Sequence, residues 1–257
     1  MSNENLKHIC DNLINTFFIA GDKSIELRKV GLKKEIKADN TPVTNGDLEV
    51  NDILTEKIKT ITPEIPIISE ESDSNKLNDK LKKFWLIDPI DGTYDYINNK
   101  DEFTLNAALI INKEPRLGII NAPAKNRLFF SYSKGNSFEI YDQKKIKLDC
   151  KKKTKKNQIK AVSYSQNLKP IVADFHKKFG VTEHKKMKSS LKFCVIASGE
   201  FDLYVAEPRA SEWDIAAGHA ILKNAGGIVT DFEGNNLTYG KKDFKNPSLI
   251  LKRGDSL

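Results

Sequence analysis

Apolar side chains near the start of the chain recur every three or four residues, with polar residues between them. They are Leu6, Ile9, Leu13 and Phe17. This spacing predicts an amphipathic helix that packs on a core, not a signal peptide. A second run of this kind, over residues 48–61, predicts another helix with Asp47 in its first turn, where an acid complements the helix dipole. A polar break at residues 37–42 separates the two helices.

Short apolar runs that end in acidic residues predict buried strands. Residues 66–68 run into the acidic segment 69–72, and residues 84–87 run into residues 88–93. After residue 103 the pattern changes to short apolar runs joined by polar turns, which predicts an antiparallel meander. Its strands are predicted over residues 104–111, 117–120, 127–132 and 137–141.

A lysine-rich stretch at residues 144–160 follows the meander and carries nine lysines and one acid, Asp149. We interpret it as a solvated connection, with nucleic-acid or membrane binding as the alternative. Beyond it, helical and strand patterns alternate, which predicts layered helices and sheets. The helices are predicted over residues 168–179, 189–198 and 213–225, and the strands over 160–165, 201–206, 228–232 and 248–251. We therefore expect two α/β halves, residues 1–142 and 143–257.

Composition narrows the class of protein. The chain has 257 residues, of which 39% are hydrophobic and 30% charged, with a formal net charge of +7. These values exclude a fibre, a disordered tail and a membrane span, while the basic balance fits a nucleic acid, a membrane surface or a small anionic substrate. The three cysteines, Cys10, Cys150 and Cys194, are far apart. They indicate neither a disulfide framework nor a zinc site, so a reducing cytoplasm is expected.

Acidic residues at the predicted strand ends are the candidate chemistry. Glu70, Glu71, Asp88 and Asp91 follow apolar runs, and Asp214 stands at a predicted helix start. Clustered carboxylates repel one another unless a cation joins them, and a site built of oxygens selects Mg²⁺ or Mn²⁺. Residues 88–93 (DPIDGT) can present the Ile90 carbonyl beside two carboxylates. The alternative is a structural turn, because Asp-Pro and Asp-Gly are common turn signals.

Three segments together resemble the signature of the Mg²⁺-dependent, lithium-sensitive inositol monophosphatase family: residues 70–71 (EE), 88–93 (DPIDGT) and 213–218 (WDIAAG). The resemblance covers the chain from residues 37–44 to the last strand. Within the family the chain is most similar to the CysQ-type 3′(2′),5′-bisphosphate nucleotidases, through residues 37–44, 102–110 and 189–194 (SSLKFC). The resemblance implies a layered αβαβα sandwich of the inositol monophosphatase and fructose-1,6-bisphosphatase type.

The resemblance also implies roles for individual residues. Two or three Mg²⁺ ions, or Mn²⁺, would be held by Glu70, Asp88, the carbonyl of Ile90, Asp91 and Asp214, with Glu71 behind them. Asp47 and Thr93 would orient and deprotonate the attacking water, a general-base role. The substrate would be contacted by Glu70, Ile90, Asp91, Gly92, Thr93, Ser189, Ser190, Lys192, Arg209 and Asp214.

The implied reaction is hydrolysis of the 3′-phosphate of 3′-phosphoadenosine 5′-phosphate by a metal-activated water, giving AMP without a phosphoenzyme. Lys188 and Glu207 depart from the nucleotidase pattern, and Glu207 favours the alternative of an inositol or sugar phosphatase. A non-catalytic nucleic-acid or membrane module is a further alternative. We expect no nucleic-acid partner and no membrane insertion, with a monomer or homodimer in the cytoplasm or peripherally on the inner membrane.

Overall fold

Two N-terminal helices cover one face of the molecule. The computed structural model describes residues 1–37, 40–72, 81–150 and 158–254. Helix α1 (Asn3–Val30) begins at a Ser2 cap, and α2 (Asn45–Ile61) begins at a Thr44 cap whose partner is Asp47. A short antiparallel hairpin, β1 (Lys34–Ile36) and β2 (Pro42–Thr44), joins them. Both predicted helices are confirmed, whereas the hairpin in the polar break was not predicted.

A seven-stranded sheet lies under these helices, in the order β3-β4-β5-β6-β7-β8-β9. Its strands are β3 (Ile67–Ser69), β4 (Lys83–Asp91), β5 (Thr104–Ile111), β6 (Glu114–Ala122), β7 (Arg127–Ser133), β8 (Asn136–Tyr141) and β9 (Lys144–Lys147). β3 and β4 run parallel, and every later pair is antiparallel. The predicted meander is therefore confirmed. The five-residue helix α3 (Thr93–Ile97) follows β4.

The interpretation of residues 144–160 as a solvated connection is wrong at its start. Lys144–Lys147 forms β9, the edge strand that pairs with β8, so the first sheet extends past residue 142. All four residues are exposed, and lysine is a common residue on such edges because it discourages further pairing. Leu148 and Cys150 then return to the core. The lysines between residues 151 and 157 lie outside the part of the chain that the structure describes.

The second half contains a five-stranded sheet in the order β11-β10-β12-β14-β13. Its strands are β10 (Ile159–Ser163), β11 (Val181–Lys186), β12 (Leu203–Ala206), β13 (Ile228–Thr230) and β14 (Leu249–Lys252). The helices are α4 (Pro170–Lys178), α5 (Leu191–Ala197) and α6 (Glu212–Asn224). The predicted alternation is confirmed, except that the strand β11 was missed.

Two cores on opposite faces of the first sheet define the layers. Alternate residues of β4 face different cores, so Trp85 packs with α1 and α2 while Leu86 packs with α5 and α6. A third core joins α4 to the outer face of the second sheet. α6 lies so close to the first sheet that a Cβ on Gly118 would stand 2.3 Å from the Ala217 carbonyl oxygen. The order helices, sheet, helices, sheet, helix is the predicted αβαβα sandwich. Over the residues described, no helix has the length and hydrophobicity needed to cross a membrane.

Candidate active site

Strand ends and a helix start bring three carboxylates together between the two sheets. β3 and β4 are parallel, and the Glu70 N–H donates to the Ile87 carbonyl at 3.1 Å, which places Glu70 beside Asp88. Asp214 reaches the same point from the first turn of α6. One of its oxygens accepts the Ser211 N–H at 2.8 Å. Ligand oxygens of Glu70, Asp88 and Asp214 all lie within 4.8 Å of one another.

Burial and mutual repulsion disfavour the charged forms of these acids. Burial raises the pKa of Glu70 to about 7 and that of Asp214 to about 8, and neighbouring carboxylates add to both shifts. Asp88 is 1% exposed, and its pKa is raised well above the usual value first by burial and then by the neighbouring acids, of which Glu70 contributes most. Its Oδ1 atom has no hydrogen-bond partner in the described part of the chain. A buried carboxylate oxygen without a donor, in an all-oxygen cluster, fits a hard divalent cation.

Asp91 stands beside this cluster and also faces the second half. Burial raises its pKa, whereas the Lys192 ammonium, the Ser190 N–H and the Asn106 amide oppose the rise. Its negative charge in turn contributes to the raised pKa values of Glu70, Asp88 and Asp214. The structure therefore brings Asp91 to the predicted site, with its carboxylate between the acidic cluster and a cation.

The Thr93 hydroxyl lies at the predicted meeting point of two segments. It lies 3.2 Å from Asp47 Oδ1 and 3.0 Å from the Ile90 carbonyl oxygen, and it can donate its one hydrogen to either. The other oxygen of Asp47 accepts both the N–H and the hydroxyl of Thr44, so the carboxylate is fixed. Asp47 is 1% exposed, and burial raises its pKa.

Gly92 makes the turn that places these groups. Its φ of 94° is in the left-handed region, and a Cβ there would meet the Glu102 carbonyl oxygen at 3.0 Å. Both the conformation and the space therefore favour glycine. Gly92 also starts α3, because the N–H groups of Asp95 and Tyr96 donate to its carbonyl.

Lys37 is a site residue that the sequence interpretation missed. Its ammonium lies 2.7 Å from the Glu71 carboxylate and 3.6 Å from that of Glu70. Glu71 is thus paired with a cation, and its place behind the metal ligands stays a prediction. The signal that could have found Lys37 is its place in the segment 37–44, which the family resemblance had already singled out.

A second region of the site is cationic, and one cavity joins it to the acids. Ser189, Ser190, Lys192 and Arg209 line this site cavity together with Asp91, Asp214 and Tyr164. Lys192 is 7% exposed, and burial lowers its pKa to about 8. Its ammonium donates to the Ser189 carbonyl. All four substrate-side residues predicted from the sequence therefore meet at one cavity.

The Ser190 hydroxyl has a structural use. It lies 2.8 Å from the Thr104 hydroxyl and donates to the Asn106 side chain at 2.8 Å, which ties the start of α5 to β5. Both partners are buried. The predicted substrate contact by Ser190 stays a prediction, and the Ser190 N–H already faces Asp91.

A neighbouring cavity contains Glu207. Its walls are mostly apolar and include Leu168 and Val172, with Tyr164, Tyr204 and Arg209 shared with the site cavity. Lys169 approaches a Glu207 carboxylate oxygen at 2.7 Å, so the acid is paired with a cation. Glu207 directly follows the last residue of β12, so this geometry is that of an ion-paired acid at a strand end.

Known proteins share this architecture. The model of the inositol monophosphatase family matches residues 11–254. The 3′(2′),5′-bisphosphate nucleotidase CysQ of Aggregatibacter actinomycetemcomitans is 31% identical over 248 residues, which cover 95% of this chain and 92% of that protein. The crystal structure of CysQ from Bacteroides thetaiotaomicron superimposes with a TM-score of 0.76 at 30% identity, over 95% of this chain and 96% of that one.

A more distant structure shows the same fold with ligands. An inositol monophosphatase/NADP phosphatase complexed with Mg²⁺ and phosphate has a TM-score of 0.78 at 19% identity, over 96% of this chain and 91% of that one. At this identity the likeness concerns the fold. The matched family model and the similarity to the CysQ proteins show that this chain belongs to the inositol monophosphatase family.

Proposed function

We propose that this protein is a Mg²⁺-dependent phosphatase that hydrolyses the 3′-phosphate of 3′-phosphoadenosine 5′-phosphate to give AMP and phosphate. The observation that carries the proposal is the site cavity, which is lined both by the carboxylates Asp91 and Asp214 and by the cations Lys192 and Arg209. A substrate with two phosphates separated by a ribose matches such a cavity better than a monoester. The similarity to CysQ nucleotidases supports the same substrate class.

Glu70, Asp88, Asp91, Asp214 and the Ile90 carbonyl are the groups that would hold Mg²⁺. When bound, Mg²⁺ neutralises charge on phosphate oxygens and lowers the pKa of water. The protein contributes a fixed carboxylate set, because β3 and β4 position Glu70 and Asp88 through the sheet and Ser211 holds Asp214. The raised pKa values of Glu70 and Asp214 mean that a divalent cation must displace protons near neutral pH.

Thr93 and Asp47 are the proposed proton path. When Thr93 donates its hydrogen to Asp47 Oδ1, the hydroxyl oxygen can accept a hydrogen bond from the attacking water. The water proton passes to Thr93 as the Thr93 proton passes to Asp47, so Thr93 keeps one hydrogen throughout. Burial raises the pKa of Asp47 and thereby favours acceptance of the proton. The Gly92 and Thr93 N–H groups are proposed to hold the transferred phosphate.

The second phosphate is assigned to the cationic region. Lys192 and Arg209 supply the charge, and the Ser189 hydroxyl is the proposed neutral donor. The adjoining apolar cavity, which shares Tyr164 and Arg209, offers a wall for the nucleoside. The proposal further places the enzyme in the cytoplasm, as a monomer or a homodimer, with its two halves divided after β9.

Phosphate release under Mg²⁺ tests the substrate assignment against an inositol phosphatase, which is the alternative that Glu207 favours. We expect a higher kcat/KM for 3′-phosphoadenosine 5′-phosphate than for inositol 1-phosphate. The ion pair of Glu207 with Lys169 weakens the alternative, because the carboxylate is already engaged. Faster turnover of the inositol ester would reject the nucleotidase assignment and leave the phosphatase chemistry in place.

A further inference from the structure

Two cations are stacked on one tyrosine at the junction of the two cavities. The Lys188 ammonium nitrogen lies 3.4 Å, and the Arg209 guanidinium carbon 3.5 Å, from the centre of the Tyr164 ring. Both distances are well inside the range of cation–π attraction. Interaction of the phenol oxygen first with Lys188 and then with Arg209 lowers the pKa of Tyr164. Tyr164 is 39% exposed and lines both cavities.

Hydrogen bonds fix the backbone around this stack. The Met187 N–H donates to the Ser163 carbonyl at 2.9 Å, next to Tyr164 in the chain. The Lys188 N–H donates to a Glu102 carboxylate oxygen at 2.9 Å. Ser189 then adopts a left-handed φ of 54°, which turns the chain into α5. The main chain of Lys188 therefore holds this residue beside Tyr164, and the Lys188 side chain packs against the Tyr164 ring.

Three cations, Lys188, Lys192 and Arg209, lie together here, and Asp91 is the carboxylate that faces Lys192. Among the residues with described positions, neither Lys188 nor Arg209 forms an ion pair with a carboxylate. Arg209 and Lys188 both oppose protonation of Lys192, so the three cations repel one another. Such a group is stabilised when an anion joins it, and it attracts one to the site.

We propose that Lys188 is a specificity-determining residue that binds the second phosphate, and that Tyr164 is a positioning residue that holds Lys188 and Arg209 over it. The inference rests on the proposed function for the identity of the second phosphate, a nucleoside 5′-phosphate. Its basis is the geometry of the stack: the Tyr164 ring, which lines both cavities together with Arg209, fixes two long, flexible side chains against it, so less of their freedom is lost when the phosphate binds.

Binding of AMP and adenosine to the metal-free protein tests the role of Lys188. The two ligands differ only in the 5′-phosphate, and calorimetric titration needs no turnover. We expect Lys188→Met to weaken AMP binding about tenfold, the loss of one charge-assisted contact, while adenosine binding is unchanged. Lys186→Met is the matched control, since it removes an exposed lysine two residues away and should leave both affinities within about twofold.

Two substitutions of Tyr164 separate the ring from the hydroxyl. Tyr164→Phe keeps the cation–π stack and should leave AMP affinity within about twofold, whereas Tyr164→Leu removes it and should weaken AMP about threefold. Steady-state kinetics then shows whether each substitution acts on KM or on kcat. For 3′-phosphoadenosine 5′-phosphate we expect Tyr164→Leu and Lys188→Met to raise KM more than they lower kcat.

The outcomes separate this inference from the proposed function. Equal AMP affinities in wild type and Lys188→Met, or wild-type binding of AMP no tighter than of adenosine, overturn the inference even if the enzyme is a nucleotidase. Equal losses in Tyr164→Phe and Tyr164→Leu overturn the role of the ring. A wild-type preference for inositol 1-phosphate overturns the proposed function, while the AMP titrations still decide whether Lys188 binds a phosphate.

Discussion

The site has an acidic end and a cationic end, which are built in different ways. At the acidic end, strand register and helix capping fix the carboxylates: Glu70 follows β3, Asp88 lies in β4, and Asp214 accepts the Ser211 N–H. At the cationic end, Lys188 and Arg209 are long side chains held by contact with Tyr164. The acidic end depends on backbone geometry, which tolerates little change.

This difference assigns separate tasks to the two ends. In the proposed mechanism a rigid set of acids would serve any phosphate ester, because the Mg²⁺ that it holds acts only on the transferred phosphate. The cations are proposed to bind a second anionic group, so their effect should depend on whether the substrate carries one. Substitutions at the acidic end should therefore lower kcat for every ester, and those at the cationic end should change the ratio between esters.

The largest effect is expected at the acidic end. Asp214→Asn keeps an oxygen that can accept the Ser211 N–H, so the cap of α6 and the fold should survive, but one negative ligand is lost. We expect kcat under Mg²⁺ to fall by about a thousandfold or more for both nucleotide and inositol esters. The control is Glu183→Gln, an exposed acid on β11. Activity of Asp214→Asn close to wild type would remove Asp214 from the metal site.

Loss of the Thr93 hydroxyl should have the next largest effect. Thr93→Val preserves the shape of the side chain and removes the contact to Asp47 at 3.2 Å. We expect kcat to fall about a hundredfold, the contribution of general-base catalysis, with KM little changed. Thr93→Ser retains the hydroxyl and should recover most of the rate. If Val and Ser variants are equally slow, the proton path through Thr93 is wrong.

A smaller and selective effect is expected at the cationic end. Arg209→Gln removes one charge from the site cavity. The ratio of kcat/KM for 3′-phosphoadenosine 5′-phosphate to that for inositol 1-phosphate should fall about tenfold. Steady-state kinetics with both substrates measures this ratio. A proportional loss for the two esters would show that Arg209 acts on the acidic end or on the fold instead.

The smallest effect is a pH dependence of stability in the metal-free protein. Folding raises the pKa of Glu70 to about 7 and that of Asp214 to about 8, so the folded chain holds protons that the unfolded chain releases. These groups therefore add to the free energy of unfolding at low pH, and this contribution is lost as the pH rises through their folded-state pKa values. We expect the Tm to fall by roughly 5 °C between about pH 5 and about pH 9.

Magnesium supplies the control for this stability measurement. It binds the folded state, so the Tm gain on adding Mg²⁺ should be greater at high pH, where the acids repel. Asp214→Asn lacks one of the titrating groups and should show a flatter pH profile without metal. A wild-type Tm that rises with pH in the absence of metal would contradict the sign of these shifts.

The sequence predicted the acidic end better than the cationic end. The position of an acid directly after an apolar run, as in residues 84–88, can be predicted, because the register of the strand fixes where the strand ends. Tyr164 carried no such signal, since its partners Lys188 and Arg209 are distant in sequence and meet it only through the arrangement of β10, α5 and β12. Contacts made by long side chains across loops cannot be read from periodicity.

Two strands show the same limit in the fold. β9 and β11 contain several lysines and no buried residue, so their composition resembles solvated connections. Each pairs with only one neighbour at a sheet edge, where hydrogen bonds and not burial define the strand. The central strands β4 and β5 are buried on both faces, and their apolar runs were predicted correctly.

One comparison of substrates tests most directly whether the two ends act on one ligand. Adenosine 3′-phosphate and 3′-phosphoadenosine 5′-phosphate carry the same reacting phosphate and differ only in the 5′-phosphate. We expect kcat/KM under Mg²⁺ to be about a hundredfold higher for the bisphosphate, corresponding to two charge-assisted contacts. Equal values for the two substrates would show that the cationic end does not bind a second phosphate.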